Sequence, residues 1–166
     1  EKKVDAVISA GNTGACVAAC QLKMRTLGVV SRPGIAVAIP SFHGPVTICD
    51  VGANPEPKAF HLLQYAQMAS IYAERILGIK NPRVGLLSIG GEESKGNSLV
   101  KEARELIKAE GMVNLVGNVE GRDVLTGACD VAESQTPVLG VAVPYAMGNV
   151  LLTVLGPIIV ACTFVP

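Results

Sequence analysis

Short apolar runs alternate with helix-length segments, and each run ends in a turn of small polar residues; this pattern constrains the fold most. Residues 4–9, 35–39, 46–49, 83–89 and 113–116 are strand-like, and Cys129-Asp130-Val131 opens one more. Between them, Cys16, Val17, Cys20, Met24 and Leu27 recur at helical spacing, closing near Gly28. A second helix is expected from Pro57 to Leu77 and a third over residues 98–109, with a short helical turn over 121–125. Pro57 suits a first helical turn because it lacks the N–H that would go unpaired there. Gly78 and Gly111 follow the helix ends, a common place for glycine. The resulting order, β-α-β-β-α-β-α-β, predicts an α/β fold with a mainly parallel sheet covered by helices on both faces.

In such sheets ligands bind beyond the carboxyl ends of the strands, where small-residue turns enter helices. Four turns qualify: residues 9–14, 50–54, 90–97 and 117–122. The fold argument gathers them on one rim.

Fourteen basic and fourteen acidic residues cancel, so no global field points to nucleic acid. With no Trp, three Phe and three Tyr, stacking platforms for bases are not expected either. Hydrophobic residues make up 49% of the chain and charged ones 17%, against about 25% charged in ordinary soluble domains. The chain can therefore bury a core, and disorder is excluded.

All the charges precede Ser134. The break predicts an α/β domain over residues 1–131 and an apolar tail over 132–166, charge-free from Ser134 onward. The tail exceeds the roughly 20 residues that span a bilayer, but Pro144, Gly148, Gly156 and Pro157 would break such a helix. It reads either as buried elements of the same domain or as a segment joined from a second gene. At the other end, Glu1-Lys2-Lys3 leads straight into a strand-like run. No signal peptide is expected from that pattern, and a start inside a gene product fits the missing initiator Met.

The five cysteines (16, 20, 49, 129 and 162) are odd in number and show no CxxC spacing. Neither a disulfide framework nor a zinc ribbon is indicated. They are expected as small buried residues in a reducing compartment. His43 and His61 lack ligand-like spacing and read as packing or capping residues. No metal and no cofactor is implied.

In Ser9-Ala10-Gly11-Asn12-Thr13-Gly14, glycines allow backbone N–H groups to approach an anion, and the helix that follows adds partial positive charge. The alternative is a plain turn in which Asn12 or Thr13 caps the helix. The absence of GxGxxG disfavours a dinucleotide-binding dehydrogenase. Gly90-Gly91-Glu92-Glu93-Ser94-Lys95-Gly96-Asn97 superficially resembles a P-loop, but Lys95 precedes Gly96 and two carboxylates would repel a triphosphate. Lys95 either supplies positive charge to one phosphate or a developing oxyanion, or is a solvated loop lysine. No Gly-x-Ser-x-Gly elbow is present, and neither histidine adjoins a nucleophile. In acyl chemistry the nucleophile would then be a bound substrate.

Several segments in order resemble the bacterial phosphate acyltransferases of phospholipid synthesis. They are Asp5-Ala6-Val7-Ile8-Ser9-Ala10-Gly11-Asn12-Thr13-Gly14-Ala15, Asp50-Val51-Gly52-Ala53-Asn54 and Pro82-Arg83-Val84-Gly85-Leu86-Leu87-Ser88-Ile89-Gly90. Lys95-Gly96-Asn97 and Gly117-Asn118-Val119-Glu120-Gly121-Arg122-Asp123 continue the series, so the resemblance covers residues 4–131. It implies a Rossmann-like three-layer sandwich of the phosphotransacetylase/isopropylmalate dehydrogenase kind. It also implies a homodimer in the cytoplasm with peripheral association at the inner face of the membrane. Inorganic phosphate would attack the thioester of acyl-acyl carrier protein, and acyl-phosphate would result without a cofactor. By resemblance, Lys95 stabilises charge as the catalytic residue. Ser9, Asn12, Thr13, Gly14 and Asn97 bind phosphate or thioester, and Asn54 lines the pocket.

Two departures from the family pattern predict a truncated domain and weak activity. The family's opening strand and helix, with a Gly-Gly-Asp-His-type loop, would precede Glu1. Where the family has an Asp-Gly-Phe-x-Gly-Asn loop, this chain reads Ala132-Glu133-Ser134-Gln135-Thr136-Pro137. In the tail, Thr136-Pro137-Val138-Leu139-Gly140 and Tyr145-Ala146-Met147-Gly148-Asn149-Val150-Leu151-Leu152 resemble aspartate–alanine exchanger-type carriers. The alternative function is accordingly a membrane-carrier fragment fused to an inactive α/β remnant.

Overall fold

The computed structural model describes residues 7–9, 12–41, 44–121, 123 and 124. In chain order these form α1 (Thr13–Met24), β1 (Ala36–Ile39), β2 (Val46–Cys49), α2 (Ala59–Arg75), β3 (Arg83–Ser88), α3 (Ser98–Glu110) and β4 (Asn114–Glu120). All seven lie in one compact unit. Residues 40, 41, 44, 45, 121, 123 and 124 belong to a second. In that second unit Ser41 Oγ donates to the Gly44 carbonyl at 2.6 Å, and residues 121, 123 and 124 are helical. The strand expected at Cys129-Asp130-Val131, the apolar tail, His43, Arg122, Cys129 and Cys162 lie outside the described residues.

Among the described residues the strands form two pairs, one antiparallel and one parallel. β1 and β2 pair antiparallel, Ala36 opposite Cys49 through Ile39 opposite Val46. The reason is connection length: residues 40–45 are too few for a parallel crossover, which needs about a dozen. β3 and β4 pair parallel, from Arg83 opposite Asn114 to Ser88 opposite Glu120, with α3 as the crossover.

The β3–β4 register shifts after Val84, because Gly85 faces Gly117 and Val116 is the extra residue. Gly117 takes a φ of +108°, a conformation open to glycine. This bulge explains a second departure. Residues 117–120 were expected in a rim turn, yet the strand runs through them.

Expected ends also move where side chains intervene. α2 starts at Ala59 rather than Pro57, because His61 Nδ1 accepts the Lys58 backbone N–H at 3.0 Å and makes Lys58 the cap. α1 stops at Met24, where Arg25 turns to a φ of +62°. Residues 7–9 are irregular, where a strand was expected.

The core is Leu63 and Ala66 of α2, Leu86 of β3 and Ile107 of α3, with Val84, Val100, Val113 and Leu115 packed around it. α2 also packs against β2. α1 buries no residue, and Met24 and Leu27 are exposed despite their helical spacing. Cys20 is exposed as well, against the expectation for the cysteines, whereas Cys16 and Cys49 are partly buried.

Candidate functional site

Two of the expected site residues, Lys95 and Asn97, lie in the segment that joins β3 to α3. α3 is amphipathic, with Ala103, Arg104 and Ile107 buried, and Asn97 Oδ1 caps it by accepting the Val100 N–H at 3.0 Å. A cavity of about 320 Å³ opens there, lined by Leu87, Ser88, Ile89, Gly96, Asn97 and Val100. Gly96 has a φ of +97°, and a Cβ on it would meet Val100 Cγ1 at 2.9 Å and Ser88 Oγ at 3.0 Å. Only glycine lets the backbone pass this close. Ser88 Oγ is buried and has no hydrogen-bond partner among the described residues. α3 carries no acidic residue in its first turn, so the partial positive charge of its N-terminus is unopposed by its own side chains there.

Residues 90–97 are fixed from below. Arg104, 5% exposed, donates to the Glu93 carbonyl at 2.6 Å, the Lys95 carbonyl at 3.5 Å and Asn118 Oδ1 at 3.0 Å. Asn118 Nδ2 donates to the carbonyls of Glu92 at 2.8 Å and Lys95 at 3.2 Å. Glu120 Oε1 accepts the Gly91 N–H at 3.2 Å. At Gly90 a Cβ would lie 2.8 Å from Glu92 Oε2 and 2.9 Å from Lys95 Cγ, so the loop closes over a bare backbone. Lys95 itself is exposed.

Glu93 is drawn to Lys108, 2.9 Å away. The hydrogen bond and charge of Lys108, with the charge of Arg104, hold its carboxyl below the usual value.

The other expected site residues make contacts of their own. Asn12 Oδ1 accepts the Ala15 N–H at 3.0 Å, which makes Asn12 the cap of α1. Thr13 and Gly14 begin that helix, and Ser9 Oγ accepts from the Cys16 thiol at 3.1 Å. Asn54 closes the loop after β2. Its Nδ2 donates to the Pro33 carbonyl at 2.7 Å and to Asp50 Oδ2 at 3.4 Å, and its N–H to Asp50 Oδ2 at 2.8 Å. Asp50 Oδ1 accepts from Ile35 and Ala53. Burial pushes the Asp50 carboxyl up, but the donated hydrogen bonds outweigh it and hold the pKa below the ordinary value.

The cavity thus brings Asn97 together with Gly96 and Ser88. Its lining does not include Lys95, Ser9, Asn12, Thr13, Gly14 or Asn54.

Sequence reasoning singled out neither Arg104 nor Ser88. Arg104 had a usable signal, because it stands four residues after Val100 and three before Ile107, on the apolar face of α3. Ser88 ends an apolar strand at the point where a small-residue loop begins, which is where such sheets place ligand contacts.

These features define an α/β protein with an open, small-residue-lined junction between β3 and α3. A model of the family described as "Fatty acid synthesis protein" matches residues 1–156, and the chain belongs to that family. Among curated relatives, the phosphate acyltransferase of Acidobacterium capsulatum is 50% identical over 131 residues, 79% of this chain and 39% of that protein. The phosphate acyltransferase of Brevibacillus brevis is 52% identical over 132 residues, covering the same shares. That of Aquifex aeolicus is 51% identical over 129 residues, 78% of this chain and 38% of the relative. The chain therefore spans about two fifths of the length of these relatives. The family match reaches well into the apolar tail, and the comparisons lend the carrier resemblance no support. Among the described residues, no helix is long and apolar enough to cross a membrane.

Proposed function

We propose that this chain carries the phosphate-binding part of an acyltransferase that moves a fatty acyl group from acyl-acyl carrier protein to inorganic phosphate. The observation that carries the reading is the cavity between Ser88, Gly96 and Asn97 at the N-terminus of α3. Helix N-termini attract anions, and the unpartnered Ser88 hydroxyl supplies a donor where one is needed. Lys95, the residue before Gly96, adds the full positive charge.

In the reaction, a phosphate oxygen attacks the thioester carbonyl. The new C–O bond forms, the oxyanion collapses, and the C–S bond breaks to release the carrier's thiol. No side chain need act as nucleophile. The protein's work is to hold phosphate beside the carbonyl and to offset the developing charge, the role assigned to Lys95. Asn97 contributes the cap that orients the helix end. In the same reading, Ser9, Asn12, Thr13 and Gly14 offer a second helix N-terminus to the substrate, and Asn54 shapes the loop after β2.

The finer properties belong to the same proposal. They are a Rossmann-like sandwich, a homodimer, a cytoplasmic setting with peripheral membrane association, and a division into residues 1–131 and 132–166.

The test is thiol release from acyl-acyl carrier protein, with and without phosphate. The reading expects slow release that depends on phosphate and disappears in Lys95→Ala. Release at the same rate without phosphate would count against it.

A further inference from the structure

Arg104 is a buried cation on α3, and none of its hydrogen bonds ends on a carboxylate. A charge in such a place is costly unless its donors are used. Here Nη1 and Nη2 of the guanidinium engage two carbonyls of the 90–97 loop and the side-chain oxygen of Asn118 in β4, while the buried Nε has no hydrogen-bond partner among the described residues. Asn118 turns its amide nitrogen to the same loop, so Arg104 and Asn118 meet at the Lys95 carbonyl. The two side chains thereby fix the backbone of Lys95 from two elements, α3 and β4, while the Lys95 side chain stays exposed.

We propose that Arg104, working with Asn118, is the positioning residue that sets Lys95 and the Gly96 backbone against the cavity for phosphate. The proposal rests on the phosphate reading above. A planar guanidinium reaches three acceptors in one fixed fork, which a lysine ammonium on a flexible stem does not reproduce. Asn118 contributes what Arg104 lacks: an acceptor for the guanidinium and donors for the loop in one group. An aspartate there would keep the acceptor and lose the donors.

The test compares Arg104→Met, Arg104→Lys, Asn118→Asp, Lys95→Ala and Ile107→Val, each below its own melting midpoint. Amide hydrogen exchange over residues 91–97 reads the loop, and titration with inorganic phosphate reads the site. Ile107→Val loosens the core beside Arg104 without touching the loop, so it marks what general destabilisation does.

The proposal expects Arg104→Met and Asn118→Asp to speed exchange in the loop and to weaken phosphate binding at least about tenfold. It expects Arg104→Lys to recover little, and Ile107→Val to leave both readouts near those of the unmodified chain. Loop exchange unchanged in Arg104→Met, or matched by Ile107→Val, would overturn it. So would faster exchange with undiminished phosphate affinity. Full phosphate affinity in Lys95→Ala would instead overturn the phosphate reading, and the exchange data would still decide whether Arg104 and Asn118 hold the loop.

Discussion

Gly85 and Val119 touch across the β3–β4 pair so closely that a Cβ on Gly85 would stand 2.6 Å from Val119 Cγ1. The bulge one residue earlier sets Gly85 opposite Gly117, a partner without a side chain. Gly85→Ala is therefore expected to destabilise the fold by about 1 to 3 kcal/mol, as overpacking does. Urea denaturation measures it. Adding Val119→Ala should recover part of the loss, since the two positions share one clash. A neutral Gly85→Ala would show that the register is wrong.

His61 caps the start of α2 only when Nδ1 is unprotonated, because that atom accepts the Lys58 N–H. Burial, then the charges of Arg32 and Lys58, lower its pKa below 6.5. A histidine with a lowered folded pKa binds fewer protons folded than unfolded, so its contribution is complete above 6.5 and falls away as pH drops through the folded value. Stability measured by denaturant from pH 7.5 to 5 should decline for this reason, and His61→Ala should flatten that decline. An unaltered slope would remove His61 from the account.

Asp50 acts at lower pH. Its folded pKa lies below the ordinary 3.8, so its contribution is present above that value and lost as pH falls through the folded one. Asp50→Asn should lower stability at neutral pH and weaken the acid dependence below pH 4. The neutral amide keeps one oxygen acceptor where the carboxylate takes hydrogen bonds at two.

Cys49 sits against Gly34 and is partly buried, and burial followed by the charge of Asp50 pushes its thiol up to about 11. Almost none of it is thiolate at pH 8, and the thiolate is the reactive form. Alkylation at pH 8, followed by peptide mass spectrometry, should label the exposed Cys20 well before Cys49. Labelling at Cys49 first would contradict the packing around β2.

Local order was legible where one residue decides it. The polar and apolar faces of residues 98–109 placed the start of α3, and the run Val46-Thr47-Ile48-Cys49 gave β2 with both its ends. The pairing of strands was less legible, because alternation of strands and helices says nothing about a short β–β link such as residues 40–45. Glycine misled at 117, where it permits a bulge within a strand and not a turn after one. In the site, Lys95 and Asn97 stood out as polar residues in a glycine-rich loop. Arg104 did not, because charge usually marks an exposed helix face, and only its register with Val100 and Ile107 betrays it. Asn54, which the resemblance placed at the pocket, hydrogen-bonds Asp50 and closes the loop after β2, contacts the pattern Asp50-Val51-Gly52-Ala53-Asn54 does not by itself announce.

The central claim is that the β3–loop–α3 junction binds phosphate with help from Lys95. The most direct measurement is a thermal melt of the chain and of Lys95→Ala, each with inorganic phosphate and with chloride at matched ionic strength. A ligand that binds only the folded state must raise the midpoint. The account predicts a cooperative melt that phosphate moves upward, with that shift lost in Lys95→Ala. A cooperative melt that phosphate leaves in place, or moves equally in both proteins, would contradict it.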